Sequence, residues 1–359
     1  MKYVVHLEEC DSQLAEVVGG KAIGLGRLLQ HGLRVPPGFA VTVHAYREFV
    51  AATGIDREIR RLLSGSATVE AQSEASTLIR RLFTMQPSHA LLAEELKQAL
   101  VSLGDSTPVA VRSSAISEDA NEASFAGEHD TYLWVRGADS ILAHVLSCWG
   151  SLFTPQALAY FDHVDIVPED AAMAVVVQTM VPAEAAGVMM TLDPVNGDPS
   201  QVTIEGSYGL GLAVVGGEVT PDRFFVDKVT RDIRSRAIST KPVAYRFVEE
   251  LGEVALTDVP AEDQSQPCLS SREVAELADL GVRVEAALGG AQDIEWAIGP
   301  PAPGDDAGRD VFLLQARQET VWSRKPRPPL ADPETSIMDR IVANMRMPMR
   351  LKAAPAESP

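Results

Sequence analysis

Two short runs, QDIEWAI (292–298) and VFLLQAR (311–317), alternate apolar and polar residues, and the GPPAPGDDAGRD between them is rich in turn formers. Side chains on a strand point alternately to opposite faces. Asp293, Glu295 and Ala297 therefore share one side of the first run, and Ile294, Trp296 and Ile298 the other. The pattern predicts an antiparallel hairpin with one apolar face, and a chain containing it must supply a second layer to bury that face. On the returning run Leu313, Gln315 and Arg317 are predicted to share a face, and a suitable register sets Glu295 beside Gln315. Oxygen ligands of this kind suit Mg²⁺, which often takes only one or two protein carboxylates and completes its shell with phosphate and water. An amphipathic edge hairpin with a polar outer face has the same pattern.

A second segment, PVAVRSSAISEDANEASFAG (108–127), runs from strand-like residues into small, hydroxylated, acidic and glycine residues that build no core. Arg112 stands at the change. A guanidinium fork projecting from a strand end matches phosphate oxygens, although pairing with Glu118 or Asp119 in a solvated turn also satisfies it. A third segment, GGKAIGLG (19–26), sets glycines around Lys21. It is compatible with a phosphate site, where backbone approaches the ligand and lysine supplies charge, and equally with a helix N-terminus carrying a surface lysine. GxxxxGK[ST] is absent.

The chain has 359 residues, enough for one large two-lobed domain or two packed ones. Fifty acidic against 31 basic residues give a formal net charge of −19, which argues against a nucleic-acid partner. An anionic small molecule then needs a local cluster of cations, with a metal ion, to overcome the surrounding field. No apolar run approaches a membrane span, and the start, MKYVVHLEECDSQ, lacks a signal-peptide pattern, so no membrane partner and a cytoplasmic location are expected. Cys10, Cys148 and Cys268 lie far apart, which supports neither a disulfide framework nor a zinc site.

Along the chain, a strand at 3–7 precedes a helix carrying Ala22, Leu25, Leu28 and Leu29, and VPPGFAVT reads as a turn into a strand. Residues 44–104 read as packing helices. MAVVVQTMV and GVMMTLDP read as two buried strands joined by PAEAA, residues around 255–270 as irregular, and SREVAELADLGVRVEAALG as a helix. After a proline-rich linker, Ile337, Met338, Ile341, Val342 and Met345 form a stripe at helical spacing, which suits packing on its own chain or docking onto a partner.

The segments GGKAIGLG, VAVRSSAISEDANEASFAG, DIEWA and LLQAR, in this order, resemble the nucleotide-binding domain of the phosphoenolpyruvate synthase and pyruvate phosphate dikinase family over residues 15–322. The resemblance implies an α+β, two-lobed ATP-grasp fold with ATP between the lobes. The expected division is an N-terminal lobe with a helical insert (1–198), a C-terminal lobe (199–322), and a linker with an amphipathic tail (323–359). It implies that Lys21 and Arg112 are cations on the ATP phosphates, that Ser124–Gly127 is the glycine loop closing over them, and that Arg317 steadies the transferring group. It further implies Glu295 and Gln315 as Mg²⁺ ligands, Gln178, Thr179 and Met180 as the adenine hinge, and Asp193 as a residue bordering the site.

Two departures from the family pattern qualify these expectations. Relatives commonly carry GLGE where this chain has GLGL, with Leu212 in place of the acid; Glu205 is the nearby candidate to replace it. Full-length relatives also continue into a domain with a phosphorylatable histidine and then a substrate domain. None of the seven histidines here, all at or before His163, has the family's threonine- or serine-histidine-alanine setting. The resemblance thus leads us to expect a phosphotransferase subunit that uses MgATP to phosphorylate a histidine on a partner subunit, which serves a small acceptor, with release of AMP and phosphate. A phenolic compound, as in phenylphosphate synthase, and pyruvate are the two acceptors it suggests. A nucleotide-binding regulatory or assembly subunit is the alternative.

Overall fold

The structure, a computed structural model, describes residues 2–64, 68–86, 90–115, 131–163, 171–300 and 308–325. Met1–Glu319 forms one compact unit and Thr320–Pro359 a second. In the second unit the ammonium of Lys325 lies 3.6 Å from the centre of the Trp322 ring. The apolar stripe at 337–345 and the Ser124–Gly127 loop fall outside the described residues.

The first half of the chain supplies β1 (Val4–His6), α1 (Ala15–Gln30), β2 (Gly38–Val41), α2 (Val43–Thr53), α3 (Ile55–Ser64), α4 (Val69–Met85), α5 (Ala90–Leu103), β3 (Val109–Ala115), β4 (Thr131–Val135), α6 (Ala138–Gly150), α7 (Pro155–His163) and β5 (Met173–Thr179). Among the described residues its strands form a five-stranded sheet in the order β1-β2-β5-β3-β4, with antiparallel neighbours throughout. One face, with Phe39, Val109, Val111, Val175 and Val177, packs against the helices of the 43–163 region. Tyr46, Phe49, Phe83 and Trp149 meet there, the Phe49 and Trp149 rings 5.3 Å apart. The helices expected at 44–104 are thus the cover this sheet face requires.

The second half supplies β6 (Ala185–Met190), β7 (Gln201–Tyr208), α8 (Leu212–Val215), β8 (Asp222–Asp227), β9 (Ile233–Ala237), β10 (Val243–Val248), β11 (Glu253–Asp258), α9 (Ser271–Leu288), β12 (Gln292–Gly299) and β13 (Asp310–Gln318). The six-stranded sheet runs β13-β12-β6-β7-β8-β9, again antiparallel throughout, and β10-β11 stands as a separate hairpin. Antiparallel sheets with helices segregated around them make this an α+β fold. The two buried strands around PAEAA belong to different sheets, β5 to the first and β6 to the second. The change of sheet therefore falls between Thr179 and Ala185. The 255–270 region, expected to be irregular, begins with β11.

Helix α9 starts where Ser270 and Glu273 cap each other reciprocally, the capping box that the SSRE sequence encodes. With α1 it covers the apolar face of the six-stranded sheet, where Ile294, Trp296, Ile298 and Leu313 are fully buried. Helix α1 also meets Ala40 and Val176 on the other sheet, so it packs against both. None of the described helices is long and apolar enough to cross a membrane.

Candidate functional site

The glycines of GGKAIGLG serve the protein's own close packing. Gly19 breaks α1 with φ 75° and ψ 167°, and a Cβ there would lie 2.3 Å from the Ser114 carbonyl oxygen of β3. At Gly24 a Cβ would lie 2.9 Å from the carbonyl of Ala316 on β13. Only glycine permits both approaches. The first turn of α1 is thereby pinned to β3: Ser114 Oγ donates to the Val18 carbonyl at 2.9 Å, and Lys21 Nζ to the Ser113 carbonyl at 2.5 Å. These two glycines approach Ser114 and Ala316, and the result is that Lys21 is held against Ser113, the residue after Arg112.

Arg112 lies on the face of β3 that also carries Ala110 and Ser114, paired with Val176 of β5. It reaches the other sheet. Its Nη2 donates to Glu295 Oε2 at 2.6 Å and to Gln315 Oε1 at 2.9 Å, and its Nη1 to the Leu314 carbonyl at 3.1 Å. Glu295 and Gln315 are direct cross-strand partners, as the hairpin register anticipated. Leu313 departs from its expected face: Glu295 pairs with Gln315 but Trp296 with Leu313, so Leu314 is an extra, bulged residue and Leu313 turns into the core. Bulges re-aim side chains next to functional sites. This one leaves the Leu314 carbonyl for Arg112. The doubled leucine of VFLLQAR, which breaks the alternation, is the sequence signal for it.

One register row across the six-stranded sheet holds Gln315, Glu295, Val188, Glu205 and Arg223. Opposed residues on neighbouring antiparallel strands project to one face, so both carboxylates look the same way. Glu205 is held by Arg223 at 2.5 Å, two strand spacings, about 10 Å, from Glu295 along the sheet. In the next row Arg317 binds Asp293 Oδ2 through Nε at 2.8 Å and Nη2 at 2.6 Å. Burial alone would raise the Glu295 carboxyl, but Arg112 first, then Lys21 and Arg317, hold it below the ordinary carboxylate range. Lys21, Arg112, Arg317, Glu295 and Gln315 thus form one cluster.

The residues expected to form the adenine hinge lie at the end of the same face. Gln178 is opposite Ala110 and buried, with Nε2 donating to the Pro36 carbonyl at 3.3 Å. The amides of Thr179 and Met180 donate to the carbonyls of Pro37 and Pro108, both at 2.9 Å, so neither N–H is left for a base. Across from the hinge a small apolar cluster joins Val181, Ala186 and Ala297 with Phe312 and Leu314. Asp193 stands past the other end of β6, its Oδ1 accepting from the Val195 amide at 2.8 Å and its Oδ2 from Gln201 Nε2 at 3.0 Å, an arrangement that shapes the 192–200 loop.

Among the described residues no group of three or more His, Cys, Asp or Glu could hold a metal ion. A Mg²⁺ bound chiefly by phosphate and water needs no such group, and Glu295 Oε2 with Gln315 Oε1 fits it: both oxygens converge on one point, and that point holds a cationic nitrogen of Arg112.

Residues 15–336 match the family described as pyruvate phosphate dikinase, AMP/ATP-binding domain. The chain belongs to this family. Among relatives, the phosphoenolpyruvate synthase of Aeropyrum pernix is 40% identical, over 92% of this chain and 44% of its own length. The rifampicin phosphotransferase of Streptomyces sviceus is also 40% identical, over 94% of this chain and 38% of the relative. The prodigiosin synthesizing transferase PigC of Serratia marcescens is 37% identical over 88% of this chain and 33% of the relative. The chain therefore spans less than half the length of each of these members of the family.

Proposed function

We propose that this chain binds MgATP between its two sheets in the ATP-grasp manner and acts as the nucleotide subunit of a phosphotransferase. The observation that carries the reading is the Arg112 cluster, in which three cations surround a register-matched pair of oxygen ligands in an acidic chain. Arg112 and Lys21 would bind the phosphates, Arg317 would steady the group in transfer, and Glu295 with Gln315 would hold Mg²⁺. Bound there, Mg²⁺ neutralises charge on the phosphate oxygens. Arg112 has two destinations, and they exclude each other. It must leave Glu295 and Gln315 for the phosphates before those oxygens can take a metal, so nucleotide and metal enter together. The carbonyls of the 178–180 hinge and the apolar cluster at Val181, Ala186 and Ala297 suit a base at one end, and the charged rows suit phosphates at the other.

In this reading an acceptor imidazole on a partner subunit takes the β-phosphoryl group of ATP while water takes the γ-phosphoryl group, so that AMP and phosphate are released, and the imidazole then passes its phosphoryl group to a small molecule. Relatives named for different products, a phosphoenolpyruvate synthase and a rifampicin phosphotransferase, are equally similar to this chain, so the acceptor is chosen outside the shared domain. A phenolic compound and pyruvate are the acceptors we favour. One observation favours a second reading, a regulatory nucleotide-binding subunit: Leu212 stands in the open at the start of α8, and Glu205 is tied to Arg223 rather than placed beside Glu295. The test mixes the chain, MgATP labelled on the β-phosphate and candidate partner subunits. AMP formation with acid-labile phosphohistidine on a partner is the expected result, and ATP binding without transfer to any of them would leave the regulatory reading.

A further inference from the structure

The β10–β11 hairpin pairs with no other named strand among the described residues, and its one bridge joins Tyr245 to Leu210. Most of its residues are half-buried or exposed, so it is an arm rooted beside the end of β7. The root lies at the hinge: the Gly209 amide donates to the Glu184 carbonyl and the Leu210 amide to the Tyr245 carbonyl. The arm then reaches the opposite sheet. Phe247 stacks on Trp134 of β4 with ring centres 4.8 Å apart and planes 9° from parallel, and the Arg136 guanidinium carbon lies 5.1 Å from the centre of the same Phe247 ring.

Trp134 is presented by a defect in its strand. Val135 pairs with Val109 and Tyr132 with Val111, so Leu133 and Trp134 together oppose Ala110, and Trp134 sits at φ 61°. A bulky residue rarely takes that left-handed conformation, and such positions persist where surrounding contacts over-determine them, often at ligand clamps. The indole Nε1 is buried without a hydrogen-bond partner. Ala110, which the bulge opposes, is also paired with Gln178, and Arg112 is two residues further along the same face of β3. Stack and root therefore both stand at the hinge end of the site, away from Glu295 and Arg317.

We propose that the β10–β11 arm closes the base end of the nucleotide site, with Phe247 on Trp134 as its latch. The inference rests on the nucleotide-binding reading above and adds the element that controls entry and release of the nucleoside. A ligand with a base leaves only when the stack parts. A bare phosphate chain, held by Lys21, Arg112 and Arg317, is indifferent to it. The experiment uses the 359-residue chain with Mg²⁺, measuring release of N-methylanthraniloyl-ATP by stopped flow and binding of inorganic tripolyphosphate by calorimetry. Phe247→Ala is expected to speed release about tenfold, the scale of one lost aromatic pair with its buried area, with tripolyphosphate affinity changed less than about twofold. Phe247→Tyr keeps the ring and should release at the wild-type rate. Unchanged release from Phe247→Ala, release as fast from Phe247→Tyr, or an equal loss for tripolyphosphate would each overturn the latch and leave the nucleotide site standing. Wild-type protein that binds neither ligand would overturn the proposed function, and the latch with it.

Discussion

Two cation–carboxylate pairs in the six-stranded half of the molecule use the same chemistry to opposite ends. Lys241 and Asp222 are fully buried. Lys241 Nζ donates to Asp222 Oδ1 at 2.7 Å and to the Ser239 carbonyl at 2.8 Å and lies 5.4 Å from the centre of the Tyr208 ring, while Asp222 also accepts from the amides of Ser239 and Cys268. Both charged groups are satisfied by the chain itself. Arg112 and Glu295 keep side-chain exposures of 13% and 35%, and Lys21 and Arg317 lie close enough to act on the same carboxylate. The first pair balances and closes. The second keeps its carboxylate open to solvent and draws three cations to one place in a chain of net charge −19, where an incoming anion can reach them. What separates a structural ion pair from a candidate binding site here is access: water is shut out of the first and reaches the second.

Breaking each pair from its cationic side should therefore give opposite phenotypes. Lys241→Met strands Asp222 in the interior and should cost about 3–5 kcal/mol in urea unfolding, with nucleotide affinity of the folded protein unchanged. Arg112→Met should lower phosphoryl transfer about 10²–10³-fold with a much smaller loss of stability. It should also let Mn²⁺ bind without nucleotide, read by electron paramagnetic resonance, because Glu295 and Gln315 lose their resident cation. If wild type binds Mn²⁺ equally well without nucleotide, the exchange at Arg112 is wrong. Next in size, Gly19→Ala forces a Cβ against the Ser114 carbonyl and should cost about 1–3 kcal/mol in the same unfolding experiment. Smaller again is an effect of acid. A carboxyl held low in the folded state contributes stability in full above the ordinary value of about 4.3 and loses it as pH falls through the lowered value. Arg112→Met removes the main cause of that depression, so its stability deficit against wild type, read by urea unfolding under circular dichroism, should shrink as pH falls below about 4.3.

Much of the second pair was legible before any coordinates. Period-two alternation made Glu295 and Gln315 candidates for a pair, and the change of residue type marked Arg112, although β3 runs on through Ser113, Ser114 and Ala115 rather than ending there, because all three pair with β5. The closed pair was not, because Lys241 in STKPVA and Asp222 in TPDRFF look like surface residues, and their burial depends on segments distant in sequence, among them the one that brings the Cys268 amide to Asp222. The Leu314 bulge was marked by a doubled leucine, but whether such a pair is a bulge or a turn inward depends on its partner strand. The glycines of GGKAIGLG mark close approach, and the structure supplies Ser114 and Ala316 as neighbours: sequence shows that a Cβ is missing and leaves open what fills the space. The Phe247–Trp134 contact links residues 113 apart and follows no local periodicity. Assignment of 255–270 as irregular hid the arm that makes it.

The smallest effect concerns Glu205, which shares a face with Glu295 and is the candidate replacement for the acid missing at Leu212. Its carboxylate is partly exposed and engaged by Arg223, and exposed pairs of this kind are worth about 0–1 kcal/mol. A Mg²⁺–oxygen bond spans only about 2.1 Å, so one ion cannot touch carboxylates held two strands apart unless both side chains lean together, and the bond to Arg223 leans Glu205 the other way. Glu205→Gln should then change phosphoryl transfer less than about threefold and unfolding by under about 1 kcal/mol. Glu295→Gln, one charge removed from the same face, should match Arg112→Met in transfer. A Glu205→Gln loss comparable to that of Glu295→Gln would mean that Arg223 releases Glu205 when nucleotide binds, and the contrast between closed and open pairs would then extend one row further across the sheet than the geometry gives it.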